Sequence, residues 1–194
     1  MKEIKLPRAI VISAFNGPTE SITPKLADEI MRPVEKNKLC ILDVAFDIER
    51  QLDRIITFHF FQDTEENKIK SLEFQSLILK SDWCTYSSKR KLITQIINDL
   101  NLLKGKEKDT YSQLLRKTMS YRNAFAHGEI AIDGREVQLS YFEGTPKTKI
   151  LTDEYLTEIE QNLLECWKTT FEVGKTSGAV KVRTTKEALI ESRK

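Results

Sequence analysis

The chain has little of what marks the most easily recognised function classes. Its 194 residues include 3 Cys, 2 His, 7 Gly and 5 Pro. Cys40, Cys84 and Cys166 are far apart, so no pair forms a metal knuckle, and an odd count fits no closed disulfide framework. Three reduced thiols point to a cytoplasmic protein. The low glycine and proline content excludes collagen-like and low-complexity sequence. There is no Gly-rich phosphate loop, no His/Cys metal cluster and no Gly-x-Ser-x-Gly elbow, so neither a metal nor a cofactor is expected. The N-terminal apolar run from Ala9 to Phe15 is broken by Ser13 and stopped by Asn16-Gly17-Pro18, too short for a signal h-region or a membrane span. Nor does one sign of charge dominate: Lys+Arg 31 against Asp+Glu 29 leaves +2, and any polyanion site must be local.

What is present suits a compact helical protein. With 40% hydrophobic and 31% charged residues, the chain can bury a sizeable core. At this length, folding removes roughly 70% of the unfolded surface from water. The predicted fold is mainly α, a bundle of four to five helices with a small β-hairpin insertion. Residues 1–34 read as an N-terminal appendage: a strand-like Ala9-Ile10-Val11-Ile12, a Gly-Pro turn, and a short helix closed by Pro33. From Glu35, Leu39, Leu42, Ala45/Phe46, Ile48, Leu52 and Ile55/Ile56 recur at helical spacing and predict one long amphipathic helix to about His59. Ile69, Leu72, Phe74, Leu77 and Ile78 mark a second helix, and a third runs from about Ser87 to Leu103. After the stop and restart at Lys104–Asp109, Tyr111, Leu114/Leu115, Thr118/Met119, Arg122 and Phe125/Ala126 carry a fourth, terminated by Gly128.

The period then changes to two. Glu129–Ile132, the Asp133-Gly134 turn pair and Val137–Phe142 predict a hairpin within residues 129–151, with room for a third short strand after Gly144-Thr145-Pro146. Thr152 is a good N-cap for a closing helix bearing Tyr155, Ile159, Leu163, Trp167 and Phe171 at every fourth position, with Trp167 read as core. The helical domain thus spans 35–173. Residues 174–194 form a basic tail, six Lys/Arg against two Glu for a net +4, which is either a solvated end or an arm for a polyanion.

Only His59 and His127 offer an imidazole, the group that does most general acid–base work near neutrality. Each has an arginine five residues upstream, Arg54 and Arg122, so spacing alone does not choose. Local chemistry does. Ile55, Ile56, Phe58, Phe60 and Phe61 surround His59 with apolar neighbours, the setting of a packing histidine. Asn123 and His127 are four apart and share a helix face, and Gly128 lets the chain leave the helix and keeps the surface open to a ligand. A structural use for the pair is also available: a histidine at a helix C-terminus complements the dipole, and Arg122 can pair with an acid elsewhere.

The string Tyr121-Arg122-Asn123-Ala124-Phe125-Ala126-His127-Gly128 closely resembles the signature of HEPN domains, in which Arg, a polar residue, further residues and His lie near the end of a late helix. Arg54 departs from that pattern because Ile55 stands at the polar position. The order of helices from Glu35 onward suits the HEPN bundle, and Leu42–Glu49 and Ser87–Lys91 resemble members associated with bacterial toxin or phage-defence systems. The resemblance implies a metal-independent endoribonuclease, a homodimer whose two motifs form one composite cleft, with RNA as substrate and an antitoxin or sensor protein as a further partner. His127 is then the acid or base, Arg122 the phosphate clamp and Asn123 the orienting hydrogen-bonder. The sequence departs from the family at Glu129, where members regulated by a nucleotidyltransferase antitoxin carry the modified tyrosine, which puts that regulation in doubt.

For contacts beyond the motif, Lys89, Arg90 and Lys91 form the densest basic cluster and Lys104, Lys106 and Lys108 another, both also compatible with solvated helix ends. Trp83 and Tyr86 are aromatic candidates for base stacking, although core packing is the commoner use. On an ideal helix Arg122 and His127 point about 140° apart, so their convergence needs a reaching arginine, a loosened last turn or a second protomer. A non-catalytic module that binds RNA, a nucleotide or a partner protein, and a subunit of a larger assembly, are the competing expectations.

Overall fold

A computed structural model of the chain describes residues 24–133 and 136–180, without the side chains of Pro24, Leu26 and Asp133. The expected strand at Ala9–Ile12, the Gly134 half of the turn and most of the basic tail are outside those residues. The fold is mainly α with a small three-stranded antiparallel sheet. Helix α1 spans Pro24–Phe61, α2 Lys68–Phe74, α3 Tyr86–Asp99, α4 Gly105–His127 and α5 Asp153–Thr176. A 3-10 turn (Glu65–Asn67) precedes α2 and a π-helical segment (Gln75–Leu79) continues it. Strands β1 (Glu129–Asp133), β2 (Glu136–Glu143) and β3 (Thr145–Ile150) lie between α4 and α5 in the order β1-β2-β3.

Pro33 does not close a helix; α1 runs through it. A proline inside a helix forfeits one backbone bond and crowds the preceding turn, about 3 kcal/mol. Ile30 and Val34 on either side are both buried, and their packing outweighs that cost. The buried stripe of α1 is Val34, Ile41, Val44/Ala45, Ile48, Leu52 and Ile55/Ile56. Leu39, expected on that stripe, is 68% exposed, and Phe46 is 40% exposed, because Ile41 and Ala45 already fill the inward positions. In α5 the strict every-fourth pattern drifts by about 40° per step. The helix therefore buries Leu156, Ile159, Leu163, Cys166, Thr170 and Val173, leaving Tyr155, Trp167 and Phe171 half-buried at its margins.

The helix ends have local causes. Gln62, with φ 52°, leaves α1 through the left-handed region while its amide donates to the Phe58 carbonyl (2.8 Å). The third helix stops at Asp99, short of the expected Leu103, because Asn101 takes the left-handed conformation (φ 51°). Thr85 caps α3 by accepting from the Ser88 amide (3.3 Å), and Thr152 caps α5 by accepting from the Tyr155 amide (3.2 Å). The third strand begins at Thr145 and includes Pro146, which an edge strand tolerates.

The described residues form two units. One comprises residues 24–48 and 113–167; the other comprises 49–112 and 168–180. The first holds the sheet and the end of α4. Its β2 turns Val137 and Leu139 inward while Ser140 and Phe142 face out. In the second, the Tyr111 and Thr170 hydroxyls are 2.9 Å apart in the core, and Lys89 is buried between Glu49 and Asp53.

Candidate functional site

The motif residues are all in the first unit, on the last turns of α4. Helix α4 is held from behind through Tyr121, whose hydroxyl donates to Glu158 Oε1 (3.2 Å) and accepts from Asn162 Nδ2 (3.2 Å) on α5. Lys117 adds bonds to the same two residues, each 3.3 Å. Burial and the nearby Glu158 carboxylate push the Tyr121 hydroxyl far above the ordinary tyrosine range. It therefore acts as a neutral, fixed donor, and the residue following it, Arg122, starts from an anchored backbone.

Arg122 is half-buried, and its guanidinium carbon sits 5.3 Å from the centre of the Phe46 ring on α1. Its Nη1 donates to Asn123 Oδ1 at 3.3 Å. The adjoining Asp47 accepts from Trp167 Nε1 at 2.7 Å, which ties this turn of α1 to α5. Asn123 and His127 are both exposed. Of the three routes to convergence, the loosened last turn is absent: α4 stays helical through His127, and the Gly128 amide still bonds the Ala124 carbonyl (2.8 Å). Arg122 reaches sideways to Asn123, which shares a helix face with His127.

Gly128 lets the chain leave the helix, as expected, but the space beside it is filled. A Cβ there would collide with the Ala124 carbonyl oxygen and lie 2.7 Å from Leu139 Cδ1. Its smallness lets the chain turn into β1 against β2, where a larger side chain would collide with the helix end and the strand. Sequence reasoning also missed neighbours on the same face. Ser120, Asn123 and His127 fall within about 60° of arc on α4. Ser120 Oγ donates to Glu143 Oε1 (2.9 Å), and Lys147 Nζ donates to Glu143 Oε2 (2.6 Å). The Lys147 bond, with the Ser120 bond second, holds the Glu143 carboxyl below the ordinary range. Nothing local in the sequence links Phe46 or Glu143 to the motif, since both arrive from distant segments.

The basic cluster at Lys89, Arg90 and Lys91 does not form one surface. Lys89 is 3% exposed and salt-bridged at 2.9 Å to both Glu49 Oε1 and Asp53 Oδ1, so solvent phosphate has no access to it. Arg90 is half-buried and Lys91 exposed. Lys104 and Lys106 are exposed, while Lys108 donates to Asn98 Oδ1 (3.1 Å). Tyr86 is buried and Trp83 exposed. His59 is half-buried with its ring edge-on to Phe60 (5.1 Å between centroids), a packing arrangement.

Among the described residues, Cys40, Cys84 and Cys166 form no disulfide. Among the described residues, no group of three or more His, Cys, Asp or Glu is placed to hold a metal ion, and no helix is long and apolar enough to cross a membrane. Comparison with family models, curated proteins and solved structures finds no match to this chain.

Proposed function

We propose that the chain is a metal-independent endoribonuclease of HEPN type, acting in the cytoplasm as a homodimer and serving as a toxin or antiphage effector. The observation that carries this reading is the grouping at the end of α4: an exposed imidazole and an exposed amide on one face, with an arginine held at the amide by an aromatic ring. The resemblance of Tyr121–Gly128 to the HEPN signature agrees with it, and three cysteines outside any disulfide agree with a reducing compartment.

The residue types match the demands of RNA strand scission. The 2′-hydroxyl attacks the adjacent phosphorus, and its proton goes to a base. The bond from phosphorus to the 5′-oxygen breaks, and an acid returns a proton to that oxygen, leaving a 2′,3′-cyclic phosphate and a 5′-hydroxyl. His127 supplies one proton-transfer group per chain, and a second copy supplies the other. Arg122 neutralises the crowded phosphorane with its fork of N–H donors, and Asn123 orients the phosphate or the arginine. DNA, without a 2′-hydroxyl, is inert in this reaction.

The test is cleavage of total RNA and a labelled single strand by the purified full chain in EDTA, alongside Arg122→Ala and His127→Ala. The expected result is cyclic-phosphate ends from the wild type and none from either folded variant. Metal-dependent cutting, or equal cutting by the variants, overturns the assignment. An inert wild type that still binds the strand through Arg122 identifies the motif as a binding surface instead.

A further inference from the structure

Beside the motif, α4 meets the sheet through a set of hydrogen-bonding groups that strand scission does not use. Ser120 is one turn before Asn123 and two turns before His127 on the same helix face. Its hydroxyl donates to Glu143 Oε1 (2.9 Å), and Lys147 Nζ donates to Glu143 Oε2 (2.6 Å). Among the described residues these are the only hydrogen-bond partners of the carboxylate. Glu143 ends β2, and Lys147 is on β3 just past the Gly144 connection, so strand pairing fixes both ends of the ion pair. The two side chains remain open to solvent, 45% and 41% exposed. An exposed ion pair adds little to stability. Braced by Ser120 and the hairpin, this one presents a fixed pattern of donors and acceptors.

The pattern has a complement. From Lys147 to Ser120 it runs donor (Lys147 Nζ), acceptor (Glu143 Oε2), acceptor (Glu143 Oε1). Each carboxylate oxygen has two lone pairs and keeps one after its existing bond, and the ammonium gives only one of its three N–H groups to Glu143. Both bonds also keep the carboxyl ionised, and so accepting. Donor, acceptor, acceptor is the order along the pairing edge of cytosine. The base that meets it is guanine, with O6 as acceptor and N1–H and N2–H as donors. In that register adenine and cytosine set a donor against Lys147, and uracil sets an acceptor against Glu143. The pair is neutral overall, so it does not draw in a phosphate as an isolated lysine does, which favours a base at this place over the backbone. Ser120 is about 10 Å along the helix axis from His127, the reach of one nucleotide from its phosphate to its base edge.

We propose that Glu143 and Lys147, held by Ser120, read a guanine in single-stranded RNA next to the phosphate engaged by Arg122 and His127. The inference rests on RNA as the substrate of the motif.

The probe is a labelled uridine heptamer with one central guanine, adenine or hypoxanthine, made uncleavable by 2′-fluoro substitution, and its affinity for the full chain is read by fluorescence anisotropy. The guanine strand is expected to bind about tenfold tighter than the adenine strand. Hypoxanthine, which lacks the N2 donor, is expected to fall between them, a comparison made on the wild type alone. Glu143→Gln replaces one acceptor by a donor and is expected to abolish the guanine preference while leaving the adenine strand unchanged. A carboxylate that only braces α4 against the sheet would shift all three affinities together and leave their ratios alone. Cut sites mapped on natural RNA are expected beside guanines for the wild type and without base preference for Glu143→Gln. Wild-type cutting or binding without base preference overturns the proposal and leaves the ribonuclease reading standing, as does a preference that Glu143→Gln retains. A guanine preference in binding, lost in Glu143→Gln, with no cleavage of natural RNA overturns the ribonuclease reading and upholds the base contact. A wild type that binds none of the strands overturns the base contact.

Discussion

Arg122 on α4 and Phe46 on α1, seventy-six positions apart, meet with the guanidinium carbon 5.3 Å from the ring centre. The contact holds the long arginine side chain against one surface, where its Nη1 reaches Asn123. An arginine so held loses less freedom on gripping a phosphate. Phe46→Leu removes the ring while keeping an apolar residue, and under the proposed ribonuclease function is expected to lower RNA cleavage about three- to tenfold, the range of a cation–π contact. Phe46→Tyr is expected to restore it. Single-turnover rates for the two variants check it: a loss in Phe46→Leu that Phe46→Tyr does not show is the pattern of a ring acting on the Arg122 guanidinium.

Gly128→Ala is expected to cost about 1–3 kcal/mol, the range for overpacking a filled site. Its Cβ would meet the Ala124 carbonyl and Leu139 together, and neither is free to retreat without moving a helix end or a strand. Urea unfolding measures the loss. A variant as stable as the wild type would show that the turn between α4 and β1 rearranges.

Lys89 sets a pH dependence. Burial alone lowers the pKa of this lysine, but the bonds it donates to Glu49 and Asp53 outweigh burial and hold it above the ordinary 10.5. Its contribution to stability is therefore complete below pH 10.5 and is lost as the pH rises through the raised value. Asp53 moves the other way from a well-paired carboxylate: burial raises it above 3.8 because one ammonium is shared between two acids. Lys89→Met leaves two half-buried carboxylates without their cation, and is expected to cost up to about 3–5 kcal/mol. Thermal unfolding of wild type and variant from pH 7 to 11 checks both the size and the missing alkaline slope.

Two tyrosines reinforce that slope. Burial, followed by the fields of Tyr141 and Glu158, pushes Tyr155 up to about 12, and Tyr121 is raised further still. A raised tyrosine stabilises the fold below its ordinary value of 10 and loses that contribution as pH climbs through the folded value. In a spectrophotometric titration, two tyrosines are expected to ionise well above the ordinary value of 10. Tyr121→Phe should remove one late-titrating group and weaken the tie to Glu158 and Asn162.

Much of this architecture was legible in the residues. Apolar spacing gave the five helices, the change to alternation at Glu129 gave the sheet, and Gly128 and Thr152 marked helix boundaries correctly. The errors share a cause. Local propensity at Pro33 and spacing at Leu39 carry no information on Ile30, Val34 and Ile41, whose packing decides which side of α1 is buried. Lys89 reads as surface charge beside Arg90 and Lys91 because its two partners are some forty residues upstream. At the site, the placement of Asn123 and His127 on one face follows from helix geometry. The Phe46 support and the Ser120–Glu143–Lys147 chain depend on tertiary pairing that no local pattern encodes.

The hydrogen bond from Trp167 to Asp47 gives the molecule an internal optical gauge. Indole emission follows the field at its N–H, and this N–H is fixed to the residue next to Phe46. The other tryptophan, Trp83, is exposed and belongs to the other unit, so replacing it with phenylalanine leaves a single emitter beside the candidate site. Occupancy near Arg122 can then be followed by light, without a label and without turnover.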